Sequence, residues 1–204
     1  MQYVELKKTV YLKLNVLYWT FAQRICSGVH LSVARSPKLL IIPCEPWSIV
    51  GSRGDEAMIM AIIQQFRLRE PTGDIVILSG TNEFEKTADG QRVGVRFHFA
   101  WRGRIELRNI FKAILVEAPT ECYVLGADCM DGKYSVLTSL LLLASADLAA
   151  RLGIKSCLTG FSFNDHPVPV LRSWFRNVSS KLTLRVRDPR SLERFTAFTG
   201  VKAQ

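Results

Sequence analysis

The sequence predicts an α/β fold, a Rossmann-like, mainly parallel sheet with helices on both faces. Two observations carry that expectation. Residues 38–67, KLLIIPCEPWSIVGSRGDEAMIMAIIQQFR, run from a short apolar stretch through a glycine-containing loop into an apolar helix face. That order is the first unit of a doubly wound sheet. Further short apolar runs, DIVILS, ECYVLGA and IKSCLTG, then recur with helix-length segments between them.

Composition agrees with a single folded unit. The 204 residues are 48% hydrophobic, enough for a core, and their number suits one domain with an appendage. The net charge of +9 points to nucleic acid, an anionic membrane surface or an anionic substrate. Cys26, Cys44, Cys122, Cys129 and Cys157 are odd in number and form no CxxC pair. A disulfide framework is therefore not expected, and a reducing, cytoplasmic setting is. His30, His98 and His166 show no metal-ligand spacing, so no metal site is expected.

Residues 1–36 read as an N-terminal amphipathic appendage, and 37–204 as the Rossmann-like domain. The apolar stretch from Val10 to His30 is interrupted by Lys13 and Arg24, too broken for a transmembrane helix. It also lacks the small-residue cleavage site of a signal peptide. Two readings stay open: a helix packed on the domain, or an interfacial segment whose Lys7, Lys8, Lys13 and Arg24 face lipid headgroups at the inner face of the membrane.

Leu39–Cys44 predicts the first strand, and Ala57–Phe66 the helix face behind it. GSRGDEA between them is neither GxGxxG nor a P-loop, so generic dinucleotide or triphosphate binding is not indicated. The loop offers backbone N–H groups to an anion or a sugar hydroxyl, or else it is a tight turn with Asp55 capping the helix. Asp74–Ser79 predicts a second strand. Residues 81–104 read as an irregular loop packed by Phe97, Phe99 and Trp101, with Arg92, Arg96, Arg102 and Arg104 solvated. Such a loop suits an acidic sugar polymer or a phosphate better than nucleic acid.

Residues 104–117 carry a helical apolar stripe, and Glu121–Ala127 a third strand that runs into Asp128 and Asp131. Polar residues at a strand's carboxyl end are where ligands sit in open sheets, and the two aspartates are a candidate acid–base pair. Alternatively Asp131 or Ser135 caps the apolar helix 136–152, which Gly153 closes. Residues 154–160 predict a fourth strand, 168–178 a helix, and Lys181–Arg187 a half-exposed fifth strand. Asp188 as N-cap and Pro189 at the first position start a last helix, which ends at Gly200.

Three stretches together resemble the polysaccharide pyruvyltransferase family. GSRGDEAMIMAI is similar to that family's first loop, and RVRDPRSLERFTAFTG to its strand–Arg-Asp–helix pattern. YVLGADCMDGKYS stands where many members have a glycine triplet, a departure that marks a divergent branch. The order and spacing of the three agree across residues 38–200.

The resemblance implies one half of a glycosyltransferase-B-type enzyme with its active site in the cleft between two halves. It implies transfer of a pyruvyl group, as a ketal, from phosphoenolpyruvate to a sugar hydroxyl in cell-surface polysaccharide synthesis. No cofactor is expected beyond that donor. On the family's motifs Asp128, Asp131 and Arg187 are the catalytic candidates. Gly54, Asp55, Glu56, Phe161, Ser162, Asn164, Asp188 and Ser191 are the substrate-binding ones. Family members run considerably longer, so a second polypeptide or a dimer is expected to complete the cleft. A non-catalytic module that binds sugar or a membrane surface is the alternative, and a nucleotide-sugar-binding half is a third reading that rests on fold alone.

Overall fold

The computed structural model describes residues 2–27, 29, 36–47, 53–80, 91, 94–101 and 106–204. Among these lie six strands and six helices. They are α1 (Gln2–Cys26), β1 (Lys38–Ile42), α2 (Arg53–Arg69), β2 (Asp74–Ser79), β3 (Arg96–Phe99), α3 (Glu106–Glu117), β4 (Glu121–Leu125), α4 (Val136–Arg151), β5 (Lys155–Phe161), α5 (Val170–Arg176), β6 (Thr183–Val186) and α6 (Pro189–Thr199). The strands form one sheet in the order β3-β2-β1-β4-β5-β6, and every pairing is parallel. The expected α/β, Rossmann-like architecture is what the chain adopts.

Alternation within the strands divides the core into two. Leu39 and Ile41 of β1 and Ile75 and Ile77 of β2 pack with Ile59, Ile63 and Phe66 of α2 on one face. Leu40 and Ile42, with Val76, Leu78, Cys122 and Val124, pack on the other face with α3 and α4. Because both faces of β1 are covered, its residues are continuously apolar rather than alternating.

The described strands number six, not five. Residues 96–99, expected to be loop, form the edge strand β3, paired with β2 through Val76↔Arg96 and Leu78↔His98. Arg96 and His98 both reach Glu117, at 3.0 and 2.8 Å, and Arg96 also reaches Asp74 at 2.8 Å. A buried carboxylate at the end of α3 therefore holds these side chains, and Arg96 is not simply solvated. Arg92, Arg102 and Arg104 lie outside the described residues.

Helix α4 is apolar nearly all round because it is covered nearly all round, with 12 buried residues from Ser139 to Ala150. Sheet lies on one side of it and α1 on the other, so α1 is a third layer that packs on the domain. Ser135, not Asp131, caps α4: its side chain accepts from the Thr138 N–H. Asp188 caps α6 with Pro189 following, and Gly200 ends it at φ 70°. These termini follow the cap rules that predicted them.

One carboxylate ties the third layer down. Asp147 on α4 is fully buried. It accepts from Trp19 Nε1 and Gln23 Nε2 of α1, both at 2.8 Å, from Arg151 Nε at 3.0 Å and from the Ser179 N–H at 2.6 Å. From the same face of α1, Asn15 Oδ1 accepts from the Leu107 N–H at 3.0 Å. That satisfies an open donor in the first turn of α3. No helix among the described residues is long and apolar enough to cross a membrane.

Two outcomes follow from these buried acids. Asp147→Ala removes the acceptor that four donor groups share, and should cost about 3 kcal/mol in urea unfolding. The exposed control Arg24→Ala should change stability by no more than about 0.5 kcal/mol. Glu117 behaves differently with pH. Burial alone would raise its carboxyl, but the Arg96 and His98 hydrogen bonds and the Arg96 and Lys38 charges hold it down at about 2, from the ordinary 4.5. A depressed folded value means the stabilisation is complete above about pH 4.5 and is lost as pH falls toward 2. Glu117→Gln should flatten stability over that window and cost on the order of 2 kcal/mol at neutral pH.

Candidate functional site

β1 and β4 are neighbours, yet the helix after β1 lies on one face of the sheet and the helix after β4 on the other. Their carboxyl ends therefore diverge and leave a crevice, the place where open α/β sheets bind ligands. A cavity of about 400 Å³ occupies it. Gly54, Asp55 and Met58 of α2 form one wall, Ala127, Asp128 and Cys129 after β4 another, and Tyr134 and Arg187 close the rim.

Each wall has a local cause. After β4, Gly126 packs so closely that a Cβ there would lie 2.5 Å from Phe161 Cβ. Ala127 then takes φ 42°, a left-handed conformation that an alanine rarely adopts. This turn puts Asp128 and Cys129 at the crevice. Across it, Gly160 has φ +70°, and a Cβ there would lie 2.6 Å from Met58 Sδ. The left-handed backbone at this position favours glycine, and its lack of a side chain leaves room for the Met58 side chain against the end of β5.

Arg187 follows β6. Its N–H donates to the Phe161 carbonyl at 2.9 Å, and its guanidinium donates to Asp128 Oδ1 at 3.0 Å. Both side chains are half exposed, so this ion pair adds little stability. Its value is positional. One contact of 3.0 Å leaves other guanidinium N–H groups for an anion.

Two thiols lie at the cavity, Cys129 in its wall and Cys44 against the lining residue Asp55. Cys44 Sγ lies 3.6 Å from Asp55 Oδ1, its one S–H proton within reach of both that carboxylate and the Cys129 sulfur. Its thiol is pushed up first by its hydrogen bond with Cys129, then by burial and by the Asp55 charge. That same hydrogen bond lowers the thiol of Cys129, outweighing the effect of its partial burial. All five cysteines are free.

Of the residues expected from sequence, the structure brings Gly54, Asp55, Asp128 and Arg187 together in this cavity. The others are placed differently. Asp131 is fully buried and accepts from the Lys133 N–H at 2.9 Å and from Asn164 Nδ2. It fixes the loop before α4 and does not face Asp128 as an acid–base partner. Asn164 is spent on that bond. Phe161 is fully buried, stacked with Phe175 and edge-on to Phe195, so it has no surface to offer a substrate. Ser162 donates its N–H to the Ala127 carbonyl at 2.8 Å, behind the cavity. Asp188 accepts from the Ser191 N–H at 2.9 Å and from Ser191 Oγ at 2.7 Å, bonds that hold its carboxyl below the usual range. These two are a helix cap. Glu56 lies in the first turn of α2 and is not in the cavity lining. Asp55 is also inside that turn, since α2 begins at Arg53, and so is not the helix cap.

Met58, Cys129 and Tyr134 line the cavity without having been expected to. Cys129 carried a readable signal, lying beside Asp128 just past a strand end. Met58 and Tyr134 carried none, since their exposure depends on how close α2 and the loop before α4 approach. Among the described residues no group of three His, Cys, Asp or Glu side chains is arranged to hold a metal ion.

The fold and the crevice define a doubly wound α/β protein with a small cavity of mixed polar and apolar lining at its topological switch point. No family model matches the chain, and neither a curated protein nor a solved structure matches it significantly.

The thiol pair generates a kinetic expectation. Cys129 is half buried while the other four cysteines are buried, so iodoacetamide should modify it first. Cys44→Ala removes the hydrogen bond that favours the Cys129 thiolate. It should slow that modification at neutral pH several-fold while leaving Cys129 the first site by peptide mapping.

Proposed function

We propose that this chain is the donor-binding part of a pyruvyltransferase-like enzyme that moves a pyruvyl group from phosphoenolpyruvate to a saccharide hydroxyl in cell-surface polysaccharide synthesis. The observation behind it is a convergence. Three stretches that resemble the family's motifs lie far apart in sequence, and each contributes to one cavity: Gly54 and Asp55 from the first, Asp128 from the second, Arg187 from the third.

The chemistry suits such a cavity. The donor carries a carboxylate and a phosphate, and Arg187 is the cation in the described lining. Its contact with Asp128 is solvent-accessible, so an incoming anion takes over the guanidinium and frees the aspartate. The reaction needs a general acid to protonate the donor's methylene carbon, which makes the adjacent carbon an oxocarbenium centre. It also needs a base for the attacking hydroxyl; a first sugar hydroxyl adds to that centre, phosphate departs with its bridging oxygen, and a second hydroxyl of the same sugar adds to the carbon it leaves, closing the ketal and releasing its proton to the base. Asp55 and Asp128 are the carboxyl groups within reach of that task. A second half or a second polypeptide supplies the facing wall and the acceptor contacts.

Titration calorimetry of phosphoenolpyruvate into the chain at low ionic strength tests this reading. Saturable binding is expected, weakened at least about tenfold by Arg187→Ala, the loss of one charge-assisted contact of roughly 1.5–3 kcal/mol. Asp128→Asn should bind the donor more tightly, because it removes the competing carboxylate. Arg194→Ala, which loses only its pairing with Asp165, should bind as the wild type does. Unchanged binding by Arg187→Ala, or none by the folded wild type, counts against the assignment.

A further inference from the structure

We infer that the outward face of α1 is a docking surface for an anionic lipid bilayer. The helix presents two opposite faces. Asn15, Trp19, Ala22 and Cys26, at spacings of four, three and four, are buried against the domain. Leu6, Val10, Leu17, Phe21 and Ile25, at spacings of four, seven, four and four, lie along the other side, each between 47% and 66% exposed. These spacings put all five on a single stripe. At 1.5 Å per residue the helix is about 37 Å long, so the stripe runs across the molecule.

The apolar surface does not stop at the helix. Leu17 also lines a cavity of about 540 Å³ with Leu12, Val16, Val136, Val168 and Trp174. This groove lies beside the stripe and is almost wholly apolar, a fit for hydrocarbon.

Charge decides the occupant. Lys7, Lys8, Lys13 and Arg24 are exposed on α1, and residues 6–27 contain no Asp or Glu. By helical rotation, Lys13 and Arg24 flank the stripe on one edge and Lys7 on the other. A second copy docked stripe to stripe brings these like charges together, with Glu5 as the single acid in the helix sequence to answer them. An anionic bilayer takes the apolar stripe into its interfacial region and sets the cations against its headgroups, the mode of an interfacial amphipathic helix. The chain's net charge of +9 draws it to such a surface. The helix lies on the membrane and does not cross it, in keeping with its interrupted hydropathy.

Co-sedimentation with phosphatidylcholine vesicles, with and without phosphatidylglycerol, tests this without any substrate. It therefore stands or falls separately from the donor-binding reading. The full chain should pellet with the anionic vesicles, remain in solution with the neutral ones, and release steeply as salt rises. Leu17→Ser/Phe21→Ser should abolish pelleting. Lys13→Gln/Arg24→Gln should weaken it at least about tenfold. All four positions are exposed, so unchanged melting by circular dichroism confirms that both variants fold. The inference is overturned if the wild type stays in solution with anionic vesicles, or if Leu17→Ser/Phe21→Ser pellets as the wild type does. A lipid-free dimer by sedimentation velocity that Leu17→Ser/Phe21→Ser dissolves also overturns it, and assigns the stripe to a second copy.

Discussion

The pairing of β1 with β4 is the constraint on which the rest depends. The register Leu39↔Glu121 through Ile42↔Val124 makes the two strands neighbours although they are 79 residues apart between Ile42 and Glu121. Parallel strands need crossovers, and right-handed crossovers place α2 and α4 on opposite faces. The two connections cannot both fill the space above the strand ends, so a crevice remains. Everything at the candidate site is an adjustment to that gap: the tight packing at Gly126, the left-handed turn at Ala127, and the approach of Met58 to Gly160.

Acidic residues then divide by location. At the amino ends of the strands, Glu117 and Glu121 are buried and surrounded by cations. Arg69 reaches Glu121 at 2.7 Å, with Lys155 at 3.3 Å. In the layer above the sheet, Asp147 is buried under its four donor groups. Removing one partner from such an arrangement costs far more than the arrangement contributes net, so these acids are structural fixtures. At the carboxyl ends the situation is reversed. Asp128 is half exposed and holds one cation through one solvent-accessible contact. An acid with little invested in the fold is available for a ligand, and that contrast separates the two ends of the sheet without any appeal to family.

Much of the fold was legible in the sequence because its signals are local. Continuous apolar runs mark doubly covered strands, and Asp188-Pro189 and Gly200 mark the ends of α6 through cap chemistry alone. The edge strand β3 was missed because RFHF alternates over only four residues and sits among arginines, which read as solvent-facing. What makes it a strand is remote: Glu117 on α3 gathers Arg96 and His98. The candidate site was legible only in part for the same reason. Sequence shows that Asp128 and Asp131 both follow a strand, but not that the turn after Gly126 sends Asp128 outward and Asp131 inward to Asn164. Phe161 lies at a strand end, as a rim residue would, yet a cluster with Phe163, Phe175 and Phe195 claims its side chain, and only its carbonyl supports the site, by holding Arg187.

That last contact bears on how much the convergence at the cavity is worth. Any doubly wound sheet gathers the loops after its central strands at one edge, so Gly54, Asp55 and Asp128 meet as a consequence of topology whatever the protein does. Arg187 is different. It follows β6, two strands beyond β4, and topology alone leaves it at the far end of the row. Next to it the register between β5 and β6 shifts at Thr159/Phe161, the Phe161 carbonyl takes the Arg187 N–H, and the Arg187 side chain lines the crevice. An irregularity in an otherwise regular sheet thus lies beside the cation at the switch point. Such departures cluster where a fold has been adapted to a ligand. Within the convergence at the cavity, Arg187 is therefore the member that strand order alone does not place, and the one that faces Asp128 across it.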